Sequence, residues 1–138
     1  MSAKAKIQEV TFDCADAERL AEFYGKLLGR PWGYRFAPGG VVDADGLHLL
    51  FQVVPEPKSS PKNRLHLDIE VDDIHEGLAR AETLGATRIG EFHQDPSGGG
   101  YVVMQDPEAN EFCLVSQPGG SWTGLLDAIV NERGQGDS

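Results

Sequence analysis

Two short stretches carry the residues best equipped for chemistry. In Glu9-Val10-Thr11-Phe12-Asp13-Cys14 the polar positions are Glu9, Thr11 and Asp13. In His66-Leu67-Asp68-Ile69-Glu70-Val71 they are His66, Asp68 and Glu70. A period of two puts each polar set on one face of a β-strand and each apolar set on the other. Carboxylates on an inner strand face are costly without a partner or a cation. A carboxylate and an imidazole facing one space, as Glu9 and His66 do on this reading, suit Zn²⁺, Ni²⁺, Mn²⁺ or Fe²⁺. Glu9 also suits the role of a catalytic proton carrier. The plainer alternative stays open, that His66 only pairs with a neighbour such as Glu9.

Other residues offer ligand binding rather than metal ligation. His48 and Gln52 share one face of the strand expected at Leu47–Val54, and either line a ligand surface or meet solvent. Trp32, with Tyr34, is either an aromatic wall for a flat ligand or part of the core. Arg64 belongs with Lys58 and Lys62 to a basic cluster that either attracts an anionic ligand or pairs with Glu56. Asp68 completes this ligand-binding set. His93 precedes the segment Pro96-Ser97-Gly98-Gly99-Gly100, which is either a mobile lid or a long hairpin turn. That segment lacks the strand-to-helix setting of a phosphate loop. No Ser/His/Asp or Cys/His nucleophile pattern is visible.

The elements that must position these residues read twice. After the first alternating stretch, Asp16 is an N-cap, Leu20, Phe23 and Leu27 follow at helical spacing, and Gly29 is the stop. After the second, Asp73 is the cap, Ile74, Leu78 and Ala81 form the stripe, and Leu84-Gly85 ends it. Placing Glu9 on His66 aligns both strands and both caps without a gap. Three strand candidates follow each helix: Trp32–Phe36, Val41–Ala44 and Leu47–Val54, then Ala86–Phe92, Tyr101–Gln105 and Glu111–Ser116. The expected organisation is a first βαβββ module over 5–54, a proline-rich linker over 55–62, a second module over 63–117, and a short C-terminal helix and tail over 118–138.

Composition narrows the partners. Twelve Lys and Arg against 22 Asp and Glu leave a formal charge of −10 on 138 residues, which excludes a nucleic-acid binder because phosphates need a basic footprint. The same charge disfavours anionic membrane surfaces. No apolar run approaches the ~20 residues needed to span a bilayer. Lys4 and Lys6 have no apolar stretch behind them, so no secretory signal is read there. Cys14 and Cys113 form no disulfide framework, and two thiols in a reducing cytoplasm is the expectation.

The repeat resembles a family. The helix segment from Asp16 through Gly25-Lys26-Leu27-Leu28-Gly29 is similar to the first helix of the vicinal oxygen chelate superfamily. That superfamily holds glyoxalase I, bleomycin-binding resistance proteins, fosfomycin-resistance enzymes and extradiol dioxygenases. Asp106-Pro107-Glu108-Ala109-Asn110-Glu111-Phe112-Cys113-Leu114-Val115 resembles its last hairpin, with Ala109 in place of the usual glycine. Phe51-Gln52, Pro55-Glu56-Pro57-Lys58 and the run from Lys62 to Asp68 resemble the bacterial glyoxalase-like branch.

The resemblance implies an α+β fold of two tandem βαβββ modules, their mixed sheets curved into a cup. It implies a small-molecule ligand in that cup, often a divalent metal, and commonly a homodimer. Carried onto this chain, the family's metal-ligand positions fall on Glu9, His66, Cys113 and near Leu50. Leu50 cannot ligate, and Cys113 is either a ligand or an inert thiol. The expected function is therefore binding of a small organic molecule in the cup. The alternative is a divalent-metal-dependent lyase, isomerase or dioxygenase with Glu9 and His66 as ligands.

Overall fold

Asp16 ends β1 (Glu9–Cys14) and starts α1 (Ala17–Leu28) by accepting a hydrogen bond from the Arg19 amide at 3.0 Å. Gly29, at φ 64°, closes α1 in the left-handed conformation a glycine adopts freely. The second module repeats the device. Asp73 accepts from the amides of His75 and Glu76 at 2.8 and 3.1 Å to open α2 (Ile74–Leu84), and Gly85 closes it. The computed structural model describes residues 7, 9–60, 65–94, 96 and 98–136.

The strands form two mixed sheets. In the first, β1, β2 (Trp32–Tyr34), β3 (Gly40–Asp43) and β4 (His48–Val53) lie in the order β1-β4-β3-β2, with β1 and β4 parallel. In the second, β5 (Leu67–Glu70), β6 (Thr87–Arg88), β8 (Gly100–Gln105) and β9 (Glu111–Ser116) lie in the order β5-β9-β8-β6. β7 (His93–Gln94) also pairs with β8. Among the described residues, no strand of one sheet pairs with a strand of the other.

The single strand expected over Ala86–Phe92 is instead two short ones separated by a bulge. Arg88 faces Met104 and His93 faces Tyr101, so residues 89–92 stand opposite only Val102 and Val103. Arg88 holds the bulge by donating to the Gly90 carbonyl at 2.6 Å and pairing with Glu91 at 3.3 Å. Past β7 the backbone closes tightly around Gly99 and Gly100. A Cβ on Gly99 would sit 2.3 Å from the Ser116 carbonyl oxygen, and one on Gly100 2.1 Å from that of His93. The C-terminal helix α3 (Ser121–Gly136) is longer than expected and leaves Leu125, Leu126, Ile129 and Val130 exposed.

The apolar alternation of each first strand packs toward the helices. Phe12 and Phe51 stack on each other at 4.9 Å, and Tyr24 of α1 stacks on Phe51 at 5.6 Å. Ile69, Val102, Met104, Phe112 and Leu114 are the buried counterparts in the second sheet. Both sets belong to one core. Phe112 joins them, 5.9 Å from Phe23 and 6.1 Å from Tyr24.

The turn before β9 locks the modules together. Its Asp106 accepts from the buried Tyr24 hydroxyl at 2.8 Å. Its Glu108 accepts from the amides of Ala15 and Asp16 at 2.7 Å each, adding a carboxylate to the positive end of α1. Ala109 takes a positive φ of 65° in this turn, where the family pattern carries glycine.

Candidate functional site

The helix-free face of the second sheet brings His66, Asp68 and Cys113 together. Asp68 and Cys113 are register partners across the parallel β5–β9 pair. His66 lies two residues before Asp68, so strand parity puts both side chains on one face. The His66 Nε2 is 3.3 Å from the Asp68 Oδ1. One ligand atom from each of the three residues lies within 4.8 Å of the others. His66 and Asp68 are about half exposed, and Cys113 is half-buried.

On the same face, β8 and β9 place Tyr101 opposite Val115, and Val115 is the partner of Glu70. His93 faces Tyr101 and its ring stacks there at 4.8 Å, nearly parallel. The floor thus runs from a carboxylate through an apolar side chain to a π wall.

The first sheet has a different face. Glu9, His48 and Asp43 form one cross-strand row, and Thr11, Leu50 and Val41 form the next. Gln52 is the partner of Asp13. Arg30 donates through Nε to the Asp43 carbonyl at 2.9 Å and pairs with its carboxylate at 3.5 Å. The Asp45 amide, ahead of the Arg30 guanidinium, holds the Asp43 carboxyl below its usual range.

Of the residues singled out from sequence, His66, Asp68 and Cys113 meet on the second sheet, while His48 and Gln52 share the helix-free face of the first with Glu9. Glu9 stands outside the three-residue group. Trp32 is on the other side of its sheet. It pairs with the buried Val42, and its ring lies against α1 where a Cβ on Gly25 would be 2.5 Å from Trp32 Cδ1. Arg64 and Lys62 lie outside the described residues. Lys58 lines a cleft of about 350 Å³ at the far end of β1, with Asp13, Glu56 and Glu108. Asp68 as a neighbour of Cys113 was the missed grouping, since the β5–β9 register, the signal that joins them, becomes visible only in the folded sheet.

The donor set fits a metal ion. An imidazole, a carboxylate and a thiol are a borderline-to-soft combination suited to Zn²⁺ or Co²⁺. Three protein ligands leave a tetrahedral position open for water or substrate. The chain's other thiol is unsuited. Cys14 is buried, donates to the Gln52 carbonyl at 3.4 Å, and is pushed up to about 11 by burial and then by Glu108, Asp16, Asp13 and Asp106.

Comparison with known proteins agrees with the fold. The structure of a glyoxalase/bleomycin resistance protein/dioxygenase family enzyme from Burkholderia phytofirmans PsJN superposes with TM-score 0.68 at 19% identity, over 81% of this chain and 98% of that one. A glyoxalase-related enzyme from Fulvimarina pelagi gives 0.64 at 19% identity, over 82% and 88%. The fosfomycin resistance protein FosX from Mesorhizobium loti gives 0.63 at 15% identity, over 84% and 94%. A search among curated proteins finds no match. Among the described residues, no helix is long and apolar enough to cross a membrane. The model of the glyoxalase-like domain matches residues 9–115, nearly the whole span of the two sheets, and the chain belongs to that family.

Proposed function

We propose that the protein binds a small organic molecule on the helix-free sheet faces, which serve as the walls of its cup. The observation that carries this reading is the second sheet's face, where Glu70, Val115, Tyr101 and His93 follow one another across the strands. A few fixed polar groups beside an aromatic and apolar floor are what a ligand site needs. His48 and Gln52 supply the polar groups of the first sheet. The reading extends to a homodimer in the cytoplasm, with a second copy covering faces that the single chain leaves open. Light scattering on the purified chain checks the dimer.

A second reading is favoured by the grouping of His66, Asp68 and Cys113. In it the protein is a metal-dependent lyase, isomerase or dioxygenase, and Glu9 carries a proton. The metal would supply Lewis-acid activation of substrate oxygens. His66, Asp68 and Cys113 would hold the ion, and the stacked His93–Tyr101 pair would orient a flat substrate.

A thermal-shift screen of a ligand library separates the readings. Hits that survive both EDTA and His66→Ala support metal-free binding. Hits that all vanish with EDTA support the second reading and sink the first.

A further inference from the structure

We propose that this site selects a thiophilic divalent cation, Zn²⁺ or Co²⁺ over Mn²⁺ or Mg²⁺, and that Asp68 rather than Glu9 is its carboxylate ligand. The inference rests on the metal-dependent reading and gives it a donor set and a selectivity.

The geometry points to one sheet of one chain. Asp68 and Cys113 face each other across two hydrogen-bonded strands, and His66 reaches Asp68 at 3.3 Å without help from the first sheet. A site made this way needs no second copy to close. Glu9 is the partner of His48 on β1 and β4, and the place that corresponds to Cys113 in its sheet is taken by Leu50. The first sheet therefore has no thiol to offer on this face.

Selectivity follows from the donors. A thiolate binds Zn²⁺ and Co²⁺ far better than the hard cations Mn²⁺ and Mg²⁺, which prefer all-oxygen shells. Binding the ion displaces the Cys113 thiol proton, which goes to solvent. His66 Nε2 and Asp68 Oδ1 already stand 3.3 Å apart at an exposed place, and a contact of that kind is held only weakly against a cation that both would ligate.

Titration of the full-length chain with Co²⁺, after EDTA treatment and removal of the chelator, reads the proposal without any activity assay. One equivalent of Co²⁺ is expected, with a thiolate-to-cobalt charge-transfer band in the near ultraviolet. Zn²⁺ abolishes the band, and Mn²⁺ in large excess leaves it. C113S removes the band. D68A weakens Co²⁺ binding at least about tenfold, and D68N, which keeps the side-chain size, does the same. E9Q keeps the affinity within about twofold.

If no Co²⁺ binds, the metal-dependent reading fails and this inference with it. If Co²⁺ binds without the band, or binding weakens in E9Q and not in D68A, the assignment is overturned while that reading stands. Displacement by Mn²⁺ overturns the selectivity.

Discussion

In the first sheet Thr11 faces Leu50 across β1 and β4, and at the same place in the second sheet Asp68 faces Cys113. One residue earlier on the first strands the pairs are Val10 with Leu49 and Leu67 with Phe112, apolar in both. The two modules thus agree on the side that packs under the helices and differ on the side that does not. That difference separates two jobs within each strand. The inner side chains hold the fold by burial. The outer ones, apart from the buried Leu50, are partly or largely exposed, so most can vary in chemistry with little cavity left behind. The second module uses that freedom for an imidazole, a carboxylate and a thiol, whereas the first has a leucine in the thiol's place.

The largest effect expected from this separation is at Phe112, beside Cys113 on the same strand but on its opposite side. Phe112 is fully buried against Phe23 and Tyr24. Phe112→Ala is expected to cost ~3–5 kcal/mol in urea unfolding, because it opens a cavity where the modules meet. Cys113→Ala is expected to change the stability of the metal-free chain by less than about 0.5 kcal/mol. Equal losses at the two neighbours would break the division between the faces.

A smaller effect is expected at Tyr24, which crosses from the first module to the second. Tyr24→Phe removes the hydroxyl that donates to Asp106 and is expected to cost about 1–2 kcal/mol at neutral pH. Burial raises the Asp106 carboxyl above its ordinary 3.8, and the bonds from Asn110, Tyr24 and Glu108 work against that rise. Losing Tyr24 moves it higher still. Below pH ~3.8 the carboxyl is protonated in folded and unfolded chains alike, so the charged part of the penalty disappears there. The difference between Tyr24→Phe and the parent should therefore shrink as pH falls, as measured by urea midpoints over a pH series.

At the other lock between the modules, Glu108→Gln keeps the shape but gives up a charge-assisted bond to α1. It is expected to cost about 1 kcal/mol or less. A value as large as that of Phe112→Ala would show that the modules are joined by this cap rather than by the shared core.

Local signals were legible in the sequence, and pairings across the chain were not. Asp16, Gly29, Asp73 and Gly85 do what their types and spacing announce, because a cap is decided within four residues. The repeat was legible enough to place Leu50 on the position that Cys113 holds in the second module. It did not show which carboxylate would join His66, since equivalence within a repeat is not proximity in space. Asp68 meets Cys113 through a register between distant strands. Trp32 was ambiguous for another reason. In Trp32-Gly33-Tyr34 no polar residue marks the outer side, and only pairing with Val42 decides that the ring goes to α1. The bulge after β6 was hidden because Arg88, Gly90 and Glu91 stabilise it through contacts that no period reveals.

The two cysteines test the same separation most finely. Cys14 is on the inner side of β1, and Cys113 is on the outer side of β9. Burial first, then the carboxylates of Glu108, Asp16, Asp13 and Asp106, lift the Cys14 thiol from 9.0 to about 11. Alkylation follows the thiolate, so at pH 8 only about one Cys14 in a thousand is in the reactive form. Peptide mapping after brief treatment with iodoacetamide should find Cys113 modified first, with Cys14 lagging until the pH approaches 11. The linkage has a definite sign. Between pH 9 and 11 the unfolded chain has lost the thiol proton that the folded chain keeps. The stability Cys14 contributes is therefore intact below pH 9 and is lost as pH rises through that window. Cys14→Ala should flatten the alkaline limb of the stability profile. If both cysteines are alkylated at one rate in the folded protein, the inner face of β1 is open to solvent, and the contrast between the two sides of the sheets does not hold there.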